Sequence, residues 1–96
     1  MRTIWKFEVP LELVSEVIMP VGARVVHAGC QDSVFGQGVH VWALVDPEAP
    51  REGRRVAVVP TGVLVSDVAE WIYVNAVELP NGIMLHVFDG GPGTGG

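Results

Sequence analysis

Three histidines have the most versatile chemistry in this sequence, because an imidazole can bind a metal ion or transfer a proton near neutral pH. They are His27, His40 and His86, and each falls in a segment with the pattern of a β-strand. Three imidazoles on one sheet face, together with a water molecule, could bind zinc. Their spacing matches no familiar ligand pattern, and no acids accompany them that would orient the rings. We therefore expect structural or surface histidines, and neither a metal site nor a cofactor.

The candidate nucleophiles also lack partners. Cys30 is the only cysteine, and its neighbours Gly29 and Gln31 provide no base to activate the thiol. The serines do not occur in the Gly-x-Ser-x-Gly pattern of hydrolases. Two carboxylate pairs, Asp46 with Glu48 and Asp67 with Glu70, lie in segments that we expect to be solvated loops. The sequence thus predicts a protein that is not an enzyme.

Aromatic side chains allow a different kind of site, one that binds. The three tryptophans, Trp5, Trp42 and Trp71, are favoured as core anchors, since a small domain needs large side chains to fill its centre. In the alternative, Trp71 and Tyr73 share an exposed strand face and form the hot spot of an interface. Both interpretations stay open at this stage.

Arginines cluster close to one predicted strand. Arg51, Arg54 and Arg55 could bind phosphate or carboxylate groups through their planar guanidinium groups, beside the surface formed by Trp71 and Tyr73. Without such a surface they would be an ordinary solvated loop. These five residues are our candidate binding site.

The segment that should organise the fold is residues 38–46. Val39, Val41, Ala43 and Val45 alternate with Trp42 and other residues, so both faces of this strand are expected to be largely buried. A strand of this kind belongs in the centre of a core.

The rest of the chain consists of short apolar segments separated by proline and glycine turns. We expect hairpins between the fourth and fifth strands and between the sixth and seventh, and we expect the second strand near a sheet edge. Asp67 and Glu70 have the spacing of a capping box, which favours a short helical turn at 66–70. The predicted strands are 2–9, 11–19, 24–30, 38–46, 54–60, 71–79 and 83–88. This pattern predicts an all-β protein, an antiparallel β-sandwich or small barrel of about seven strands, with a single domain at 1–89 and a flexible glycine-rich tail at 90–96.

Composition narrows the functional classes. The chain has 96 residues, of which 49% are hydrophobic, enough for one core without disulfides. A formal net charge of −5 argues against a general nucleic-acid binder, which needs a basic surface. No apolar run approaches the roughly 20 residues of a membrane-spanning helix, and the first residues lack the apolar centre of a signal peptide. We expect a cytoplasmic protein that does not bind membranes.

Several segments resemble a family of small uncharacterised phage proteins, found mostly in phages of actinobacteria. They are 3–7 (Thr-Ile-Trp-Lys-Phe), 19–23 (Met-Pro-Val-Gly-Ala), 41–48 (Val-Trp-Ala-Leu-Val-Asp-Pro-Glu), 61–62 (Thr-Gly) and 85–88 (Leu-His-Val-Phe). The resemblance extends from the first strand to the last and leaves out the glycine tail. It implies a phage origin and a compact β domain, and it supplies no catalytic residues.

Together, these observations predict a non-enzymatic, phage-encoded binding protein that forms a homo-oligomer and so covers its strand edges. It would be a host-directed accessory factor in the host cytoplasm, which captures a host protein or a small anionic, nucleotide-like ligand. The alternative is a structural component of the virion, such as a capsid decoration or tail accessory protein. A hydrolase or metal enzyme would require the histidines to converge.

Overall fold

The computed structural model describes residues 1–33 and 36–93 and consists of strands. Within these ranges a single 3-10 turn, Asp67–Glu70, lies between the fifth and sixth strands. Among the described residues, no helix has the length and apolar character needed to cross a membrane. The strands are β1 (Thr3–Val9), β2 (Val14–Pro20), β3 (Arg24–Ser33), β4 (Gly36–Val45), β5 (Arg51–Pro60), β6 (Ile72–Glu78) and β7 (Met84–Pro92).

The strands form two antiparallel sheets that pack as a sandwich, which confirms the predicted fold class. The first sheet has the order β1-β4-β3, and the second has the order β2-β5-β7-β6. The predicted hairpin between β6 and β7 is confirmed, as is the position of β2 at a sheet edge. Every strand pair is antiparallel, and two of the five pairs, β3 with β4 and β6 with β7, join neighbours in sequence.

The predicted hairpin between the fourth and fifth strands is wrong, because β4 and β5 belong to different sheets. Both strands carry valines on the face that points to the core, and the two faces are buried against each other when the strands lie in opposite layers. The connecting turn redirects the chain. In it, Ala49 N donates to Asp46 O at 3.1 Å and Glu48 N donates to the Asp46 side chain at 3.0 Å.

The centre of the sandwich is the inner face of β4. Val39, Val41, Ala43 and Val45 are all fully buried there, as the alternation predicted. The outer face of β4 is covered less completely, since Trp42 and other outward side chains are half-buried. The inner face of this one strand belongs to the main core cluster, together with buried residues of β2, β5 and β7 of the opposite sheet.

One corner of the sandwich is closed by a side chain instead of a strand ladder. Asn75 of β6 accepts a hydrogen bond from Ala28 N at 2.8 Å and donates one to Ala28 O at 2.8 Å. Its amide thus takes the place of a peptide group and satisfies the edge of β3. A register shift in each strand, between Val25 and His27 and between Tyr73 and Asn75, accompanies this junction.

The 3-10 turn covers the outer face of the second sheet. Its Val68 is buried against a small second cluster that includes Ala57, Val59 and Phe88. The predicted helical turn is therefore present, but the capping box is not formed. The N-cap residue of the turn is Ser66, and its side chain makes no capping hydrogen bond. A capping box would need Glu or Gln three residues after the N-cap, and Glu70 is four residues after it.

Strand β7 extends beyond the predicted end of the domain. Gly91 and Pro92 continue its pairing with Arg55 and Arg54 of β5, and Gly90, at a register shift, accepts a hydrogen bond from Arg55 Nη2. Gly93 N then donates to Gly53 O at 2.7 Å. Four residues of the predicted tail are thus held against β5, and residues 94–96 of that prediction lie outside the described residues.

Candidate functional site

The start of β5, the end of β7 and the residues before β6 meet at one end of the sandwich, where they surround a cleft of about 310 Å³. We call it the arginine cleft. It brings together three of the five residues predicted as a binding site. The lining residues are Arg54, Arg55, Glu70, Trp71, Ile72, Asp89, Gly90 and Gly91.

Arg54 is held by a buried ion pair. Its Nε and Nη2 donate to the two carboxylate oxygens of Asp89 at 3.0 Å and 2.9 Å, and the two side chains are only 12% and 7% exposed. Asp89 Oδ1 also accepts a hydrogen bond from Gly91 N at 2.9 Å. This fork geometry satisfies both charges, so Arg54 fixes the end of β7 and its charge is already neutralised.

Arg55 lies over an aromatic ring. Its guanidinium carbon is 4.8 Å from the centroid of the Trp71 ring, and its Nη2 donates to the carbonyl oxygen of Gly90. Trp71 also contacts Gly90, where an added Cβ would lie 2.7 Å from the indole ring. Trp71 therefore packs directly on peptide backbone, and only glycine allows that approach. The cation, the ring and the strand end form one rigid stack.

The structure separates Arg51 from the other two arginines. Arg51 Nη1 donates to Pro47 O at 3.2 Å and to Ala49 O, and its guanidinium carbon lies 5.4 Å from the Trp5 ring centroid. It therefore stabilises the turn between the sheets. The sequence prediction grouped it with Arg54 and Arg55, but its contacts are with that turn and with β1.

Tyr73 lies on the outer face of the second sheet, next to the arginine cleft but outside its lining. Its ring packs edge-on against Phe88 with centroids 5.2 Å apart, and its hydroxyl is 3.0 Å from His86 Nδ1. The other ring nitrogen of His86 is 2.8 Å from Thr61 Oγ1. The imidazole thus joins β6 to the loop after β5, a contact that sequence reasoning missed because the three residues are distant in the chain.

The histidines do not converge. His27 and His40 flank Trp42 in the first sheet, with ring centroids 5.5 Å and 6.5 Å from that of the indole, whereas His86 belongs to the second sheet. Across residues 1–33 and 36–93, no group of three or more His, Cys, Asp or Glu side chains has a geometry that could hold a metal ion. Cys30 is half-buried and packs against the main core cluster.

The arginine cleft is lined by equal numbers of positively and negatively charged side chains. Two guanidinium groups, from Arg54 and Arg55, face two carboxylates, from Glu70 and Asp89. The sequence analysis recognised the cations but neither of the acids in this role. The signal for Asp89 was available, since Leu85, Val87 and Asp89 alternate on the inner face of β7, which places that acid at the end of a buried row.

The model of a domain of unknown function, DUF7352, matches residues 1–94. The chain belongs to this family. The match includes Gly90 to Gly93, the segment that Trp71, Arg55 and Gly53 hold in place. No curated protein and no solved structure matches the chain.

Proposed function

We propose that this member of the DUF7352 family is a non-enzymatic binding domain that captures a protein partner with Trp71, Ile72 and Tyr73, a segment that we call the β6 entry. The observation that carries the proposal is the exposure of this segment. Ile72 is 73% exposed and Tyr73 is 49% exposed. Ile72 lines the arginine cleft together with Trp71, and Tyr73 follows on the other face of this edge strand. Tryptophan and tyrosine are the side chains that most often dominate the energy of protein interfaces.

Neighbouring residues hold the two aromatic side chains of the β6 entry in place. Trp71 is fixed between Arg55 and the Gly90 backbone, and Tyr73 is fixed by Phe88 and His86. A surface whose side chains are already ordered loses less conformational entropy when a partner binds. This rigidity favours recognition over a purely structural use of the aromatic residues.

The charge distribution favours a protein over a small anionic ligand. The charge of Arg54 is already neutralised by Asp89, and Arg55 donates to Gly90 through Nη2, although its Nε is buried without an acceptor among the described residues. Glu70 adds a negative charge to the same cleft. A nucleotide-like ligand would have to displace these contacts, whereas a polypeptide can pack on Ile72 and Tyr73 without breaking them.

An enzymatic alternative would have to use Thr61, His86 and Tyr73, which are connected by hydrogen bonds through the imidazole. In a hydrolytic triad the third group is usually a carboxylate, which stabilises the imidazolium ion that forms. Here the third group is a phenol, Thr61 and Tyr73 are exposed, and His86 is half-buried. This arrangement supports a structural clamp in preference to a nucleophile.

A phage origin is also part of the proposal, and it is supported by the resemblance of segments such as 41–48 and 85–88 to small phage proteins. In this setting the protein would be a host-directed accessory factor that acts in the host cytoplasm, and its captured partner would be a host protein.

The test compares two aspartate substitutions in tagged protein produced in infected host cells. Ile72→Asp alters the β6 entry, and Ile18→Asp is the matched control, since Ile18 is 61% exposed on the edge strand β2. We expect a defined host protein to co-purify with the unchanged protein and with Ile18→Asp, and at least about tenfold less of it with Ile72→Asp. Equal recovery with both variants contradicts the proposal.

Native mass spectrometry of the same preparations tests the small-ligand alternative. A nucleotide-sized passenger that is lost in an Arg55→Ala variant would replace the protein partner by an anionic ligand. Proteomics of purified particles tests the second alternative, a structural virion component, which is favoured by the all-strand sandwich and by the apolar end described below. Stoichiometric presence of the chain in virions would favour that role.

A further inference from the structure

The end of the sandwich opposite the arginine cleft carries an apolar groove. It lies between the β1–β2 connection, the end of β5 and the β6–β7 hairpin, and it has a volume of about 290 Å³. Among the described residues that line it, Glu12 is the one ionisable side chain. The lining residues are Leu11, Glu12, Leu13, Val58, Pro60, Leu79, Ile83 and Leu85.

The walls of the groove are fixed by backbone hydrogen bonds. Val58 N donates to Leu13 O at 3.1 Å, and Leu79 N donates to Ile83 O at 2.8 Å. The rim nevertheless stays open to water, because Leu11 is 60% exposed, Leu13 is 50% exposed and Ile83 is 48% exposed. Three large apolar side chains around a preformed apolar groove are characteristic of a surface that another molecule covers.

An apolar projection adjoins the groove. The chain leaves the groove wall at Pro60, turns with Val63 N donating to Pro60 O at 3.1 Å, and then presents Leu64, which is 95% exposed. Val63 and Val65 on either side are 40% and 38% exposed. A leucine that is almost completely in water therefore lies four residues from the wall of a groove suited to apolar side chains.

We propose that a second copy of this chain covers this end, with Leu64 of each copy inserted into the groove of the other. A projection and a groove on the same surface are what a two-fold interface requires, because residue i of one copy contacts residue j of its partner and the reverse contact forms at the same time. The groove is also at the small end of the size range of sites that hold a drug-sized ligand, which favours insertion of a side chain.

The charges at this end set the salt dependence of the contact. All six basic residues lie elsewhere, at positions 2, 6, 24, 51, 54 and 55, whereas Glu12 lines the groove. Two copies therefore bring like charges towards each other around an apolar contact, so added salt should strengthen the dimer by screening that repulsion. A partner with basic residues flanking an apolar anchor would show the opposite dependence.

The experiment is sedimentation velocity on the purified full chain over a range of concentrations, with Leu64→Asp, Leu11→Asp and the control Ile18→Asp. We expect a reversible dimer for the unchanged protein and for Ile18→Asp, tighter at high salt. Each of the other two variants should dimerise at least about tenfold more weakly, since a carboxylate would enter an apolar groove. Unchanged amide NMR dispersion confirms that each variant is folded.

Mixing the two weakened variants distinguishes the proposed interface from non-specific apolar association. The Leu11→Asp copy retains its Leu64, and the Leu64→Asp copy retains its groove, so a heterodimer keeps one of the two contacts while each homodimer keeps neither. We expect the mixture to dimerise more strongly than either variant alone. A monomer at every concentration, normal dimerisation of Leu64→Asp, a mixture with no gain, or a dimer weakened by salt would each overturn the proposal.

Discussion

The ion pair between Arg54 and Asp89 gives the sharpest test of how the arginine cleft is built. Replacing Asp89 by alanine would leave the guanidinium of Arg54 at 12% exposure without its carboxylate partner, and Gly91 N would lose its acceptor. Breaking a buried pair on one side costs about 3–5 kcal/mol. That is a large part of the roughly 5–15 kcal/mol that stabilises a typical domain. For a chain of this size, the melting temperature should fall by at least about 12 °C.

The assay is urea unfolding followed by tryptophan fluorescence, with Glu48→Ala as the control. Glu48 is an exposed acid in the turn after β4, so its removal should change the free energy of unfolding by no more than about 0.5 kcal/mol. A double variant, Arg54→Met with Asp89→Leu, should be more stable than Asp89→Ala alone, because it leaves no unpaired charge. If Asp89→Ala costs less than about 1 kcal/mol, the ion pair is not what fixes the end of β7.

Three further substitutions test separate parts of the structure. Gly90→Ala places a methyl group 2.7 Å from the indole of Trp71 and should lower the free energy of unfolding by about 1–3 kcal/mol; wild-type stability in thermal unfolding would show that the ring does not lie on that backbone. Asn75→Ala removes both side-chain hydrogen bonds to Ala28 and should cost about 1–3 kcal/mol, with faster hydrogen exchange at the Ala28 amide; unchanged exchange there would contradict the closed corner. Val41→Ala creates a cavity at a fully buried position and should cost about 1.5–3 kcal/mol in chemical denaturation, so a neutral result would argue against the position of β4 in the core.

The strand pattern could be predicted because alternation of side chains reports directly which face of a strand is buried. Val39, Val41, Ala43 and Val45 identified the inner face of β4, and the turn at 80–82 identified the β6–β7 hairpin. Alternation does not say which sheet a strand joins. The separation of β4 and β5 into different layers was therefore missed, since both carry the same kind of apolar face.

The site was less predictable, because its contacts join residues that are far apart in sequence. Arg54 and Asp89 are 35 residues apart, and no local pattern indicates that they pair. Composition suggested a loose tail from residue 90, whereas Gly90 is the surface on which Trp71 packs. The absence of a side chain, which looks like a signal for flexibility in sequence, is here the condition for close packing.

We propose that the protein binds its partner through the β6 entry. Hydrogen exchange measured by mass spectrometry, on the free protein and on the complex recovered from infected cells, tests it most directly. We expect slower exchange in the complex at the amides of residues 71–73, with residues 11–13 and 64 unchanged relative to the free protein. Protection confined to the groove end, or no change at 71–73, would contradict it.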